Sequence, residues 1–353
     1  MGIGVLFFLG LGVIFAISLL YLLIVALVPG IKVHAVPLTK NKDIKGMKPD
    51  LPHTGHKTDV SFAVKNTKIR GWLFLPKNIV EPVACIVMAH GFGGTRDMGL
   101  ESYAIRFHKA GFAVLVFDYR HFGESEGSPR QLLWIPFQLE DWSAAVEYVR
   151  NLKGIDPKRI ALWGTSLSGG HVIVKAARDR GIACVAAQCP GVDGHASAEH
   201  IFKNQGIVKS LHLILHGQRD MARSWLRLSP HTIPIAGKKG DIACLTTPGA
   251  YEGFGKLAPD NFINEVCARI VLRADKYRPV AEAQHVQCPV LLQICDHDEI
   301  TPQSAAEQTV EQLGSYVDVR HYPIGHFDIY EGKNFEISLS DQLAFFRRHL
   351  DKL

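Results

Sequence analysis

The chain has 353 residues, 47% hydrophobic and 21% charged, with a net charge of +5 at pH 7. That apolar share excludes a disordered chain, and seven cysteines are too few for a disulfide-stapled scaffold. Six lysines and two aspartates before residue 58 carry +4 of the charge, so the remainder has no basic stripe to neutralise phosphates and a nucleic-acid partner is not expected.

Residues 3–28 contain no charged side chain and are rich in Leu, Ile, Val and Phe. About 20 such residues cross a bilayer core at a rise of 1.5 Å each, so this segment reads as a transmembrane anchor. A cleaved signal peptide wants positive charge ahead of a shorter apolar run; here nothing basic precedes Val5, and Pro29-Gly30 follows a longer run. The lysines that follow the span place the amino terminus outside and the carboxy-terminal bulk in the cytoplasm by the positive-inside tendency. Cys85, Cys184, Cys189, Cys288 and Cys295 lie in or beside apolar runs as small hydrophobes, and the odd total fits a reducing compartment. Residues 29–57 are polar, carry Pro37, Pro49 and Pro52, and read as a basic tether whose lysines suit anionic headgroups.

From residue 58 to 353, short apolar runs alternate with amphipathic stretches. Val60–Val64 and Ile69–Leu75 flank a polar turn and predict a hairpin; strands are predicted at Val83–Ala89, Ala113–Phe117, Arg159–Trp163, Ile182–Ala187, Val290–Ile294 and Tyr316–Tyr322. Leu139, Trp142, Val146 and Val149 recur at spacings of three and four, one face of a helix. Apolar strands separated by helices predict an α/β fold with a parallel sheet covered on both faces, binding its ligand beyond the carboxyl ends of the strands. Residues 191–287 break the alternation. A structureless loop of that length is implausible in a compact protein, so a mainly helical cap inserted over the site is expected, with Trp225, Tyr251, Phe254 and Phe262 as its apolar bulk.

The chemistry-bearing segments sit at strand ends. Val83–Ala89 closes on His90-Gly91-Phe92-Gly93-Gly94, a glycine-rich turn that lets backbone amides approach a substrate oxygen. Ile160 to Trp163 runs into Gly164-Thr165-Ser166-Leu167-Ser168-Gly169-Gly170, where small residues flank a sharp turn that lifts the Ser166 hydroxyl to the start of a helix. The amides of Phe92 and Leu167 are the predicted oxyanion donors. The literal G-x-S-x-G of this chain, Gly123 to Gly127 around Ser125, lies in a polar loop with no helix starting at its serine and is set aside. A serine nucleophile needs a base and an orienting carboxylate. Beyond the last strand, Gly325-His326-Phe327 offers the base, and Asp298, further into its loop than Asp296 and four residues before Pro302, offers the acid. His216 to Asp220 follow another apolar run but fall inside the insertion and are assigned to the cap. The order Ser166, Asp298, His326 is that expected for this architecture.

From about Val60 onward the chain resembles the α/β-hydrolase superfamily, on the His90–Gly94, Asp118–Ser125, Gly164–Gly170, Asp298–Pro302 and Gly325–Phe327 segments. It looks most like the serine aminopeptidase (S33), Xaa-Pro dipeptidyl-peptidase-like and dienelactone-hydrolase-like esterase branches. The resemblance implies eight strands with helices on both faces and no metal or organic cofactor. It also implies that Asp118 and Arg120 fix a loop. Dienelactone hydrolases proper use a cysteine where this chain has Ser166, which argues against their reaction. The expected activity is hydrolysis of carboxylic esters through an acyl-enzyme on Ser166. A peptidase or acyltransferase using the same three residues, or a silent hydrolase fold serving as a binding module, are the alternatives. The anchor and an apolar cap point to small-molecule ester or amide substrates with lipophilic groups.

Overall fold

The computed structural model describes residues 2–28, 33, 38, 56–77 and 79–351. The elements begin with α1 (Gly2–Leu27), then β1 (His56–Val64), β2 (Thr67–Leu75), β3 (Val83–Ala89), α2 (Leu100–Lys109), β4 (Ala113–Phe117), α3 (Ile135–Arg150), β5 (Ile155–Thr165), α4 (Leu167–Arg178) and β6 (Cys184–Gln188). The segment after β6 holds α5 (Gly194–Gln205), α6 (Ile207–Trp225), β7 (Thr232–Ile233), α7 (Ala250–Leu257) and β8 (Val266–Cys267), followed by short 3-10 turns. The chain closes with β9 (Val290–Cys295), α8 (Gln303–Leu313), β10 (Val317–Tyr322) and α9 (Gly332–Leu350).

Eight strands form one sheet in the order β1-β2-β4-β3-β5-β6-β9-β10. The β1–β2 hairpin and its contact with β4 are antiparallel, and every other neighbouring pair is parallel. Strands β4, β6 and β9 are buried at every position, the continuous apolar pattern that a sheet covered on both faces demands. Because side chains alternate along a strand, β3 and β4 feed two cores. On one face Val87 and Leu115 pack with Trp142 and Val146 of α3 and Val172 of α4. On the other, Ile86 and Val114 meet Phe107 of α2 and Phe346 of α9.

The α9 layer is tied to the sheet by polar groups as well. The Gln342 amide donates to Gln188 Oε1 at 2.9 Å and to Gln293 Oε1 at 2.5 Å, and accepts from Trp163 Nε1 at 3.0 Å. Gln293 in turn donates to the Tyr322 hydroxyl at 2.7 Å. The ladder spans β5, β6, β9 and β10 in a fully buried setting, where each partner is costly to lose.

The strands lie where the apolar runs place them, with small boundary shifts: β5 extends over Ile155–Thr165, and β6 starts at Cys184 rather than Ile182. The insertion is helical in α5 to α7 but also carries the β7–β8 ladder and a bridge between Ala236 and Leu245. One expectation is overturned: Trp225 is not cap bulk but an exposed residue at the end of α6, on its outer face. The tether expected at 29–57 falls largely outside the described residues; Val33 and Leu38 are half-buried against the core.

Replacing Gln342 by Leu strips three buried polar groups of a partner. A urea titration of the detergent-solubilised chain should show about 1–3 kcal/mol lost, with an unchanged slope.

Candidate active site

Strand β5 ends at Thr165, and Ser166 adopts φ 55° and ψ −126° before α4 begins at Leu167. A left-handed φ at a side-chain-bearing residue costs about 1–3 kcal/mol and persists only when its surroundings fix it. Here they do. The Ser166 amide donates to the Gln188 carbonyl at 2.9 Å, and its own carbonyl accepts from Gly169 at 2.8 Å and Gly191 at 2.7 Å. Small residues are compulsory around it: a Cβ on Gly164 would lie 2.2 Å from the Ser168 carbonyl oxygen, and one on Gly91 would lie 2.8 Å from Ser166 Cβ. Ser168 is fully buried and shares a 2.9 Å hydrogen bond with the Tyr119 hydroxyl, which accepts from Trp142 at 2.8 Å.

His326, on the loop after β10, is buried, with Nδ1 2.6 Å from Asp298 Oδ2. Asp298 is held in turn by the amides of Ile300 and Thr301, each at 2.8 Å, and by the Thr301 hydroxyl at 2.8 Å. Burial alone would raise the Asp298 carboxyl, but the imidazole and these donors outweigh it and hold it below the usual carboxylate range. Burial would likewise lower His326, yet the adjacent carboxylate keeps its protonated form well above the usual imidazole range. Asp296, the alternative acid, instead pairs with His321 at 2.7 Å, outside this cluster.

Ser166 and His326 wall one small cavity of about 40 Å³ together with Gly91 and Phe92. Ser166, Phe92 and Leu167 also line a larger chamber of about 490 Å³, closed on its far side by α5, α6 and the stretch from Ile270 to Tyr277. The Phe92 and Leu167 amides donate to no acceptor among the described residues. Leu167 opens α4, so its free N–H adds to the positive end of the helix dipole. All five residues singled out in the sequence therefore gather at the carboxyl ends of β3, β5, β9 and β10. Among the described residues, no three His, Cys, Asp or Glu side chains are placed to hold a metal ion.

The decoys have structural jobs. Ser125 is buried, donating to the Asp118 carbonyl at 2.7 Å and accepting from the Arg70 amide at 2.8 Å. Asp118 pairs with Arg96 at 3.0 Å and Asp141 with Arg120 at 2.6 Å, bracing the loop after β4. Asp220 is buried against Arg269 at 2.5 Å within the insertion. What sequence reasoning missed is Cys189, read only as a small hydrophobe. It follows β6 with φ 35°, and its thiol lies beside the His326 imidazole and within reach of Tyr330. The strand register that puts it there is not legible in composition.

Gly91→Ala pushes a methyl against Ser166. It should lower kcat for a p-nitrophenyl ester about 10²-fold, the loss expected of a displacement near 1 Å, with the far-UV circular dichroism unchanged.

The chain belongs to the alpha/beta hydrolase family, whose model matches residues 86–331. It is 41% identical over 292 residues to the quorum-quenching protein AidA of Acinetobacter baumannii, covering 82% of this chain and 94% of that one. The polyketide transferase ATR5 of Stachybotrys chlorohalonatus is 26% identical over 307 residues, covering 83% and 97% of the two chains. Among solved structures, the alpha/beta hydrolase GrgF from Penicillium superposes with a TM-score of 0.70 at 23% identity, over 84% of this chain and 99% of that chain.

Proposed function

We propose that this protein is a membrane-anchored serine hydrolase that cleaves carboxylic esters of lipophilic groups. One observation carries the reading: a buried His326–Asp298 pair at 2.6 Å opens onto the cavity that also holds Ser166 on its strained turn. In the proposed reaction the neutral imidazole takes the Ser166 proton as the hydroxyl oxygen attacks the acyl carbon. The Phe92 and Leu167 amides receive the developing oxyanion, each such donor accounting for roughly 3–4 kcal/mol in comparable sites. His326 returns the proton to the departing alcohol, then takes one from water, whose oxygen displaces Ser166 and frees the acid. Asp298 holds the ring in the tautomer that faces the serine.

The chamber supports a lipophilic substrate. Its walls are mainly aliphatic and aromatic, including Ile201, Phe202, Leu213, Leu245 and Ile270. Of its two aspartates, Asp193 caps α5 and pairs with Arg278 at 2.9 Å, so one carboxylate at most remains to meet a peptide amino terminus. That weighs against the aminopeptidase alternative. Acyl transfer to an alcohol keeps a place as the second reading, because a relative similar over most of both chains is named a polyketide transferase. An added alcohol that diverts product from acid to ester selects it. In this reading α1, with 26 residues and no charge, serves as the anchor, and the lysines after it favour a catalytic domain on the cytoplasmic side.

Ser166→Ala should abolish hydrolysis of a p-nitrophenyl ester and labelling by a fluorophosphonate probe. Ser125→Ala should keep both and lose about 1–3 kcal/mol of stability, since it orphans two buried backbone groups. Retained turnover in the first variant refutes the assignment.

The pH profile tests the pair. Only neutral imidazole can accept the proton, so kcat/KM should rise with pH through an inflection above the ordinary imidazole value of about 6.5, because Asp298 favours the charged ring. Asp298→Asn removes that stabilisation, moves the inflection to lower pH and should lower kcat by about 10⁴-fold.

A further inference from the structure

Helix α6 carries an apolar stripe that the hydrolase core does not use. Ile207, Leu211, Ile214, Gln218, Met221 and Trp225 recur every three or four residues along one face. The opposite face, with Leu213, His216, Gly217 and Asp220, is the buried one. Ile207, Leu211 and Trp225 are more than half exposed, as is Val208 on the flank of the stripe. An apolar surface of this extent on a soluble face marks an interaction site.

Something already occupies one end of it. The last turns of α1, from Ile17 to Val25, lie against Gln218, Met221, Ala222 and Trp225 across a shared crevice. Tyr21 donates to Gln218 at 2.6 Å, and Arg219 and Arg223 donate to the carbonyls of Val25 and Ala26 at 2.9 Å each. Two guanidinium groups thus satisfy carbonyls that a helix end leaves open, at the end where cations are favoured. Ile17 precedes Leu27 by ten positions, about 15 Å along the helix axis. A helix seated beside that stretch of a membrane span is seated at the depth of the acyl chains.

We propose that the outer face of α6 is embedded in the same bilayer that α1 spans, and that the chamber above Ser166 opens into that bilayer, so that the substrate is an ester dissolved among lipid chains. The proposal rests on reading α1 as the anchor and on the ester reading of the Ser166 site. Its committed occupant is the lipid bilayer, because the exposed stripe continues the surface that α1 already covers. The opening follows from two residues: Phe202 of α5 and Ile214 of α6 line the chamber and are also exposed on the outer face. Arg219 and Arg223 border the stripe at the level of the end of α1, where basic side chains reach headgroups while their stems stay apolar.

The test uses the full chain in lipid vesicles. All seven native cysteines are buried, so a single Leu211→Cys can carry an environment-sensitive nitrobenzoxadiazole label. Val80→Cys is the control, fully exposed before β3 and hence at the rim opposite the site. Lipids brominated along the acyl chain should quench the Leu211→Cys label at least twofold and leave the Val80→Cys label unchanged. Equal behaviour of the two labels, as when a second protein or a second copy covers α6 in place of lipid, overturns the proposal. This readout needs no turnover, so it stands apart from any failure of the ester reading. For the opening, the double variant Leu211→Glu, Leu215→Glu, at two half-exposed positions one turn apart on α6, is assayed on a vesicle-dissolved long-chain p-nitrophenyl ester and on p-nitrophenyl acetate. The ratio of the two kcat/KM values, which does not depend on how much protein folds, should fall at least tenfold through KM of the long ester. An unchanged ratio overturns the route from the bilayer.

Discussion

The left-handed turn at Ser166 is the constraint that everything nearby obeys. Its φ of 55° is unfavourable for a side-chain-bearing residue, and the surrounding backbone is arranged to fix it. Three segments interlock there. The loop after β3 approaches so closely that position 91 must be glycine. The start of α4 folds back over Gly164. The chain leaving β6 closes the third side: a Cβ on Gly169 would meet Pro190 at 2.7 Å, and one on Gly170 would meet the Gly191 carbonyl at 2.3 Å. Removing freedom at Ser166 therefore removes it from the Phe92 and Leu167 amides as well. Ser166 and the Phe92 and Leu167 amides are thus held in one interlocked frame, which is what the proposed reaction requires of a nucleophile and its oxyanion donors.

The proposed base is held by different means. His326 and Asp298 come from loops after β10 and β9, and the first of these is also packed through the Phe327 ring against Gly253 of α7, where a Cβ would lie 2.1 Å from the ring. They are positioned by charge-assisted hydrogen bonds in a buried site, where such bonds are shorter and stronger than neutral ones. Behind both halves of the site runs the glutamine ladder from α9. Gln188 contributes a side chain to that ladder and its backbone carbonyl to the Ser166 amide, so the stability of the α9 layer and the geometry of the turn share a residue.

Much of this is legible in the sequence. Strand positions followed from apolar runs because a parallel sheet buried on both faces leaves no alternation to misread. Ser166 was preferred to Ser125 by its strand–turn–helix context, and the structure puts Ser125 in a backbone-bracing role. Asp298 was preferred to Asp296 by its place in the loop, and Asp298 is the one that meets His326. What escaped is non-local. Cys189 reads as a small apolar residue; only its position beside β9 and β10 brings it to the imidazole. Trp225 reads as apolar bulk of the cap because its type is usually buried, whereas its helix turns it outward. The docking of α1 on α6 joins residues nearly 200 positions apart and leaves no local periodicity to detect.

That docking changes what the amino-terminal helix does. A span joined to its domain only by a loop fixes location and leaves orientation free. Here Arg219 and Arg223 bind the end of α1 directly, so the helix sets the pose of α6, and α6 is a wall of the chamber over Ser166. In the proposed bilayer setting, tilt of α1 reaches the wall through which the proposed substrate passes. Arg223 is also held by the Ser229 carbonyl and hydroxyl, and the open carbonyls of α1 complete the acceptors of the two arginines. α1 and the cap thus share polar partners, the carbonyls of Val25 and Ala26 meeting Arg219 and Arg223, and in the proposed bilayer setting the pair turns the chamber over Ser166 towards the lipid phase.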